Sequence, residues 1–525
     1  MYFTSLNFCL FLFCLFAGYY FIFRRFQWQF LLAASLIFYS FFGWNNVIFI
    51  CVTICSTWFA GIKMKRLRVK QEQYFSSMPS LTKEEKKDYK KYINKHLKKW
   101  LVFCLIFNFG MLAVLKYTNF IISNANTIIS AAGGQPFSPI NLLLPVGISF
   151  YTFQSMGYII AVYRGSEDEP NLFKFALFVS FFPQIIQGPI SRFGNLKKSL
   201  FTRHKFSPEE FQAGLARILW GFFKKLVVAD RLITAVTALS ASPENYNGVY
   251  VILTMFFYIA TLYADFTGGI DITIGTARML GIQIHENFNR PFYAVSMADY
   301  WRRWHISMGT WFKDYLFYPL STSKTMIKLS KKIKEKTGEG FSRRVQFYTT
   351  MIILWFTTGL WHGAQWYFVV WGLMNGTVLI ISEELRPVYA KFHRRFPYGQ
   401  TLWYKSFQVC RTFCLMCLLA SFHVYTNVRL TFRMYFSVIA DFGFGKFITQ
   451  GINDLGLHFS DYIIVISAIL IMIAAGFFGY NKKVEFKNLR PVYRGTLIAA
   501  LFFIVVIFGT YGFGYDSQQF IYNQF

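Results

Sequence analysis

The sequence predicts an all-α integral membrane protein, with roughly eleven transmembrane helices joined by short in-plane or re-entrant helices. Composition is the first observation. Of 525 residues, 54% are hydrophobic and 15% charged, whereas soluble domains carry about 25% charged residues. The second is clustering: apolar residues gather in runs such as Phe8 to Phe23, Leu101 to Leu115, Val251 to Tyr263, Met351 to Phe356 with Phe368 to Ile381, and Gly495 to Phe508. A helix needs roughly 20 mainly apolar residues to cross a hydrocarbon core of about 30 Å, and several runs reach that length with their flanks. The third is the placement of a net charge of +29. Lys and Arg concentrate in the connections, as expected where basic loops hold the cytoplasmic side and meet anionic lipid. That pattern argues against nucleic acid as a partner.

Taken in order, the first run has no basic region before it and ends at Arg24–Arg25. It reads as a retained span with the N-terminus outside. The second ends near the uncharged Gly43-Trp44-Asn45-Asn46, and the third returns to a basic segment, 63–99, with thirteen Lys and Arg against four acids. Inside it, Thr82 and Glu85 form a capping box. Tyr89, Tyr92, Ile93, His96, Leu97 and Trp100 then recur at helical spacing opposite lysines, which predicts an amphipathic helix lying on the cytoplasmic membrane surface. Ser207-Pro208-Glu209-Glu210 opens another helix, running through Phe211, Leu215, Ile218, Leu219 and Phe222 to Lys224–Lys225. The eight cysteines all lie in apolar runs without zinc spacing, and read as small buried hydrophobes. With no fixed-period repeat and no low-complexity linker, residues 1–525 read as one membrane domain.

The segment 264–320 is unlike the rest. Asp265, Asp271, Arg278, His285, Glu286, Arg290, Asp299, Arg302, Arg303, His305, Lys313 and Asp314 interrupt what would otherwise be span-length hydrophobicity. Such backbone reaches membrane depth only where it is buried in protein or lines a wet cavity. Placed on a helix, Trp301, Trp304, His305, Met308, Phe312 and Tyr315 form one stripe. A second isolated histidine, His362, follows in Thr357-Thr358-Gly359-Leu360-Trp361-His362-Gly363-Ala364, within the apolar stretch 351–381. Ionisable groups inside a span are costly and mark functional sites by default. Gly359 and Gly363 allow close approach to His362.

Imidazole suits acyl transfer to a hydroxyl. Its pKa of about 6.5 leaves it neutral near physiological pH and able to accept the hydroxyl proton. The rival chemistries lack their residues. No HExxH or close His/Cys/Asp set predicts a metal, no GxSxG elbow predicts a serine hydrolase, and Thr267-Gly268-Gly269 lacks phosphate-loop spacing.

Arg302-Arg303-Trp304-His305-Ile306-Ser307 and Gly359-Leu360-Trp361-His362-Gly363-Ala364 resemble the two histidine motifs of bacterial membrane-bound O-acyltransferases, of the alginate O-acetyltransferase branch. Leu144-Pro145-Val146-Gly147-Ile148-Ser149-Phe150, Gln187-Gly188-Pro189-Ile190, Ala264-Asp265-Phe266-Thr267-Gly268, Asn287-Phe288-Asn289-Arg290-Pro291-Phe292 and Phe520-Ile521-Tyr522 resemble it too. The resemblance implies a ring of tilted helices around a central funnel in a bacterial cytoplasmic membrane. It also implies catalytic His362 and His305. Trp301, Trp304, Trp311, Trp361, Arg303, Asp265, Gly363 and Asn375 are expected along one substrate passage that both histidines border. No bound cofactor or metal is expected. Acetyl-CoA or another acyl thioester is the expected donor, an extracytoplasmic polysaccharide the acceptor, and an acyl-relay or acetyltransferase protein the partner. Two departures stand out: Ser321-Thr322 replaces the usual paired glycines, and Asn375 the usual histidine. D-alanyl transfer to teichoic acids is the nearest alternative function, and a polytopic transporter the next, although transporter repeats are missing.

Overall fold

The computed structural model describes residues 3–396, 398, 401–482 and 486–511, and among these the regular structure is entirely helical. Phe520-Ile521-Tyr522 lies outside the described residues. Two compact units divide the chain: Met1–Gly214 with Thr276–His285, and Leu215–Gly275 with Glu286–Phe525.

The first unit contains α1 (Leu6–Ala17), α2 (Gln27–Ser40), α3 (Trp44–Ser77), α4 (Lys83–Ala131), α5 (Ile148–Arg164), α6 (Leu172–Ser180), α7 (Phe182–Ile185) and α8 (Phe193–Leu200). Helix α9 (Pro208–Phe222) begins in the first unit and ends in the second. The second unit continues with α10 (Asp230–Ala241), most of α11 (Val249–Met279), α12 (Met297–Arg303), α13 (Ile306–Phe312) and α14 (Tyr318–Ser321). It then holds α15 (Lys324–Thr337), α16 (Glu339–His362), α17 (Trp366–Glu384), α18 (Arg386–Arg395), α19 (Leu402–Ala420) and α20 (Phe422–Tyr425). The last four are α21 (Val428–Ala440), α22 (Phe444–Asp454), α23 (Phe459–Lys482) and α24 (Pro491–Phe508).

Six helical stretches among the described residues are long and apolar enough to cross a bilayer: Trp44–Ser77, Lys83–Ala131, Val249–Met279, Leu402–Tyr425, Phe459–Phe477 and Pro491–Phe508. Helix α17 with α18, bent by 47°, makes a seventh if the pair is one span. Other apolar runs are divided among shorter helices, as in the 17-residue Leu6–Ile22. On α24, Phe502, Phe503 and Ile507 stand exposed, a surface suited to lipid and not to water.

The basic segment 63–99 differs from the surface helix expected of it. Helix α3 runs on to Ser77, and α4 is one helix of 49 residues that carries both the lysine-rich stretch and the apolar run after it. The two ends pack together, with Tyr74 stacked on Tyr89 at 4.0 Å. The capping box starts α4 as expected: Thr82 Oγ1 accepts from the Glu85 N–H, and Glu85 Oε2 accepts from the Thr82 N–H. A helix once nucleated adds residues cheaply, and nothing between Lys99 and Leu101 breaks it. The cysteine expectation also needs correction. Cys104 and Cys417 are buried, whereas Cys9, Cys14, Cys51, Cys55, Cys410 and Cys414 are exposed on apolar helix faces.

In the second unit, a π-helical turn, Phe223–Ala229, follows α9. It carries two adjacent lysines into the protein. Lys224 Nζ lies 2.5 Å from Asp271 Oδ2, and Lys225 Nζ lies 2.7 Å from Asp265 Oδ1 and 2.8 Å from Asp230 Oδ1. Arg217 bridges Asp271 and Glu286. Lys224–Lys225, at the end of the expected helix, is thus buried and paired. Buried charges need such partners, because an unpaired one loses its solvation with no return.

Candidate active site

His305 stands where a single helix was expected, and the helix is broken there. Helix α12 ends at Arg303 and α13 begins at Ile306, with His305 between them in the left-handed region (φ 47°, ψ 53°). That conformation costs a side-chain-bearing residue about 1–2 kcal/mol, so something must impose it. The loop 287–289 does. The Asn287 carbonyl accepts from the Ile306 N–H and its Oδ1 accepts from the Ser307 N–H, each at 2.9 Å. Those are N–H groups that the start of α13 leaves without helical partners. The Asn289 N–H donates to the Arg303 carbonyl at the end of α12. One loop therefore caps two helix ends. Asn287 Nδ2 also lies 3.3 Å from His305 Nδ1. With Oδ1 committed to Ser307, Nδ2 donates to Nδ1, which leaves the ring proton of neutral His305 on Nε2.

Because of this break, the expected stripe divides. Trp301 meets Trp355 at 4.8 Å and Trp371 at 5.9 Å. Trp304 turns instead toward Tyr300, stacked at 5.6 Å, and Phe288, edge-on at 5.0 Å. Trp311 packs on Phe312 and Tyr315. His305 is fully buried, with Phe266 on one side at 5.0 Å and Trp361 on another at 6.0 Å.

His362 is the last residue of α16 and is half-buried. Its ring lies 4.9 Å from Trp361, 4.8 Å from Trp371 and 6.4 Å from Phe368. Glycines bring these elements together. A Cβ on Gly359 would lie 2.5 Å from the Phe368 carbonyl oxygen, one on Gly372 would lie 2.3 Å from that of Trp355, and one on Gly363 would lie 2.1 Å from the Phe368 ring. No side chain fits at these positions, so α16 and α17 are packed backbone to backbone behind His362. The C-terminal end of a helix also favours a cation. Imidazolium formed at His362 gains from that end of α16, typically about 0.3–1 kcal/mol.

Trp361 is therefore a ring neighbour of both histidines. Their rings lie no farther apart than its contacts with each, 6.0 and 4.9 Å, laid end to end. Asn375, fully buried one turn beyond Trp371, donates from Nδ2 to the Trp371 carbonyl. Arg303 and Asp265 are elsewhere engaged. Arg303 pairs with Asp299 at 3.0 Å, and Asp265 is held by Lys225. Sequence reasoning missed two residues here. Asn287 shapes the His305 turn, and its signal was the Asn-Phe-Asn-Arg-Pro-Phe run after an apolar span. His423, on α20, lies 6.4 Å from His362 and 5.0 Å from Trp371. It was open to the same rule that selected His362, an ionisable residue within an apolar stretch. Among the described residues, no group of three or more His, Cys, Asp or Glu is arranged to hold a metal ion.

The sequence model of the membrane-bound O-acyltransferase family matches residues 82–333. The probable alginate O-acetylase AlgI of Azotobacter vinelandii is 35% identical over 388 residues, covering 73% of this chain and 69% of that protein. The chain belongs to the membrane-bound O-acyltransferase family. Membership makes it an O-acyltransferase of the membrane. The peptidoglycan O-acetyltransferase of Helicobacter pylori is 28% identical over 70% of this chain and 66% of its own length. The teichoic acid D-alanyltransferase of Streptococcus thermophilus is 29% identical over 46% of this chain and 58% of its own length.

Proposed function

We propose that this enzyme moves an acetyl or other small acyl group from a cytoplasmic thioester, with acetyl-CoA the first candidate, to hydroxyls of an extracytoplasmic polysaccharide. Transfer is direct or passes through a relay protein outside. The observation that carries this reading is the half-buried imidazole at the C-terminal end of α16, enclosed by aromatic rings. The names of the relatives supply the acceptor class. In the step itself, His362 takes the acceptor O–H proton as the oxygen bonds to the thioester carbonyl carbon. The C–S bond then breaks, and the proton returns from imidazolium to the departing thiolate sulfur, leaving His362 neutral. Aromatic walls keep competing water from the thioester. His305, buried and tied through Nδ1 to Asn287, is poorly placed to accept a proton and acts by holding the Trp361 side of the passage. Around this centre the roughly eleven crossings, several made of short or broken helices, form a ring whose funnel opens to the cytoplasm, with the N-terminus outside the bacterial cytoplasmic membrane.

The test uses purified protein in lipid nanodiscs with [14C]acetyl-CoA and oligosaccharides of the alginate and peptidoglycan types. Labelled ester on an oligosaccharide, absent with His362→Ala, is the expected result. If label appeared only with a D-alanyl carrier-protein thioester, the acetyl assignment would be replaced by aminoacyl transfer. Label from neither donor would remove the proposal.

A further inference from the structure

His423 has no role in the chemistry above, yet it is a direct ring neighbour of the proposed base. Its imidazole centre lies 6.4 Å from that of His362. Both rings rest on Trp371, at 5.0 and 4.8 Å, and both approach Phe368, at 5.1 and 6.4 Å. Their settings differ from that of His305. His305 is fully buried, whereas His362 and His423 are each half-buried. The fold brings His423 there deliberately. Helix α19 stops at Ala420, Ser421 Oγ turns back to the Leu418 carbonyl at 2.7 Å, and α20 lasts only to Tyr425 before Thr426 adopts a left-handed conformation. An ionisable side chain in an otherwise apolar span marks a place to look for function.

The spacing suggests what the two rings hold. Two nitrogens that each hydrogen-bond the same oxygen, at about 2.8 Å, stand roughly 4–5.5 Å apart. Imidazoles centred 6.4 Å apart can present facing nitrogens at that separation. That separation matches one oxygen held by both rings.

We infer that His423 is an acceptor-binding residue of this site, holding the attacking hydroxyl oxygen against His362. Its ring N–H donates a hydrogen bond to one lone pair of that oxygen, so the hydroxyl proton points at His362. The second lone pair then faces the thioester carbonyl. Only His362 exchanges a proton; His423 keeps its own throughout. The ligand it recognises is a sugar or serine-type hydroxyl, and not the thioester. The inference rests on the acyl-transfer reading, and one of its two readouts does not.

The first readout is steady-state transfer in nanodiscs, from [14C]acetyl-CoA to the oligosaccharides above, by His423→Phe and His423→Gln. Phenylalanine keeps the ring but has no N–H, whereas glutamine keeps an N–H donor. His423→Phe is expected to raise the acceptor KM and lower kcat, together costing roughly 10–100-fold in kcat/KM. The donor KM and the melting temperature stay near wild type, and His423→Gln recovers most of the loss. Wild-type transfer by His423→Phe would overturn the inference. So would equal losses in both variants accompanied by lower melting temperatures, which would make His423 a packing residue. The second readout is carbethoxylation by diethyl pyrocarbonate, mapped by mass spectrometry, which needs no turnover. His362 and His423 should both react while His305 stays unmodified. Reaction at His362 with His423 inert would remove the shared cavity even if transfer were active. Reaction at both in a protein that transfers nothing would leave the cavity standing and the acyl-transfer reading refuted.

Discussion

Two turns of this molecule each present a histidine, and the protein treats them in opposite ways. At His305 the chain is forced into a left-handed residue, capped from outside by Asn287, and sealed from solvent. At His362 the helix ends in extended backbone at Gly363, glycines clear the space behind, and the residue stays half-buried. One imidazole has its Nδ1 beside an amide and is sealed in; the other is half-buried among aromatic rings. Histidine identity alone does not separate these jobs. The separation comes from what each ring's neighbours leave available.

The largest effect should fall on the half-buried ring. His362→Ala is expected to lower kcat by roughly 10²–10⁴-fold, the usual worth of a positioned base, with the protein still folded in the membrane. Near-normal turnover in the purified variant would erase the contrast at its stronger end. Next comes the clamp. Asn287→Ala removes a side-chain cap of α13 and the bond to His305, and should destabilise the protein by about 1–2 kcal/mol. His305→Ala keeps that cap, so it should lower the melting temperature less while disturbing transfer through Trp361. If His305→Ala instead abolished transfer as completely as His362→Ala, at unchanged stability, the two rings would be partners in chemistry.

Gly372→Ala sharpens the comparison from the scaffold side. Its Cβ would meet the Trp355 carbonyl oxygen at 2.3 Å, and overpacking of this kind costs typically about 1–3 kcal/mol. Lower yield of folded protein, read by size-exclusion chromatography, is the expected outcome. Arg303→Gln should do least. Its pair with Asp299 is partly exposed, and such pairs are worth about 0–1 kcal/mol. A tenfold loss of transfer in that variant would return Arg303 to the substrate passage.

The sequence by itself determined the class of solvent. Long apolar runs with basic connections predict membrane helices, because hydrocarbon excludes charge and unpaired backbone wherever the chain crosses it. Local signals also held: the Thr82–Glu85 capping box forms as written, since its partners lie three residues apart. Two histidines in apolar surroundings were legible for the same reason of cost. Only the tertiary structure decided the rest. The break at His305 depends on Asn287, eighteen residues earlier, and helical periodicity carries no trace of a cap supplied through space. Lys224 and Lys225 looked like the basic end of a helix until a π turn aimed them at Asp271 and Asp265. His423 reaches His362 from sixty-one positions away in the sequence. Periodicity and composition report what a residue's own element prefers. Which rings share a space is fixed by the packing of elements distant in sequence, and that is settled only when the chain folds.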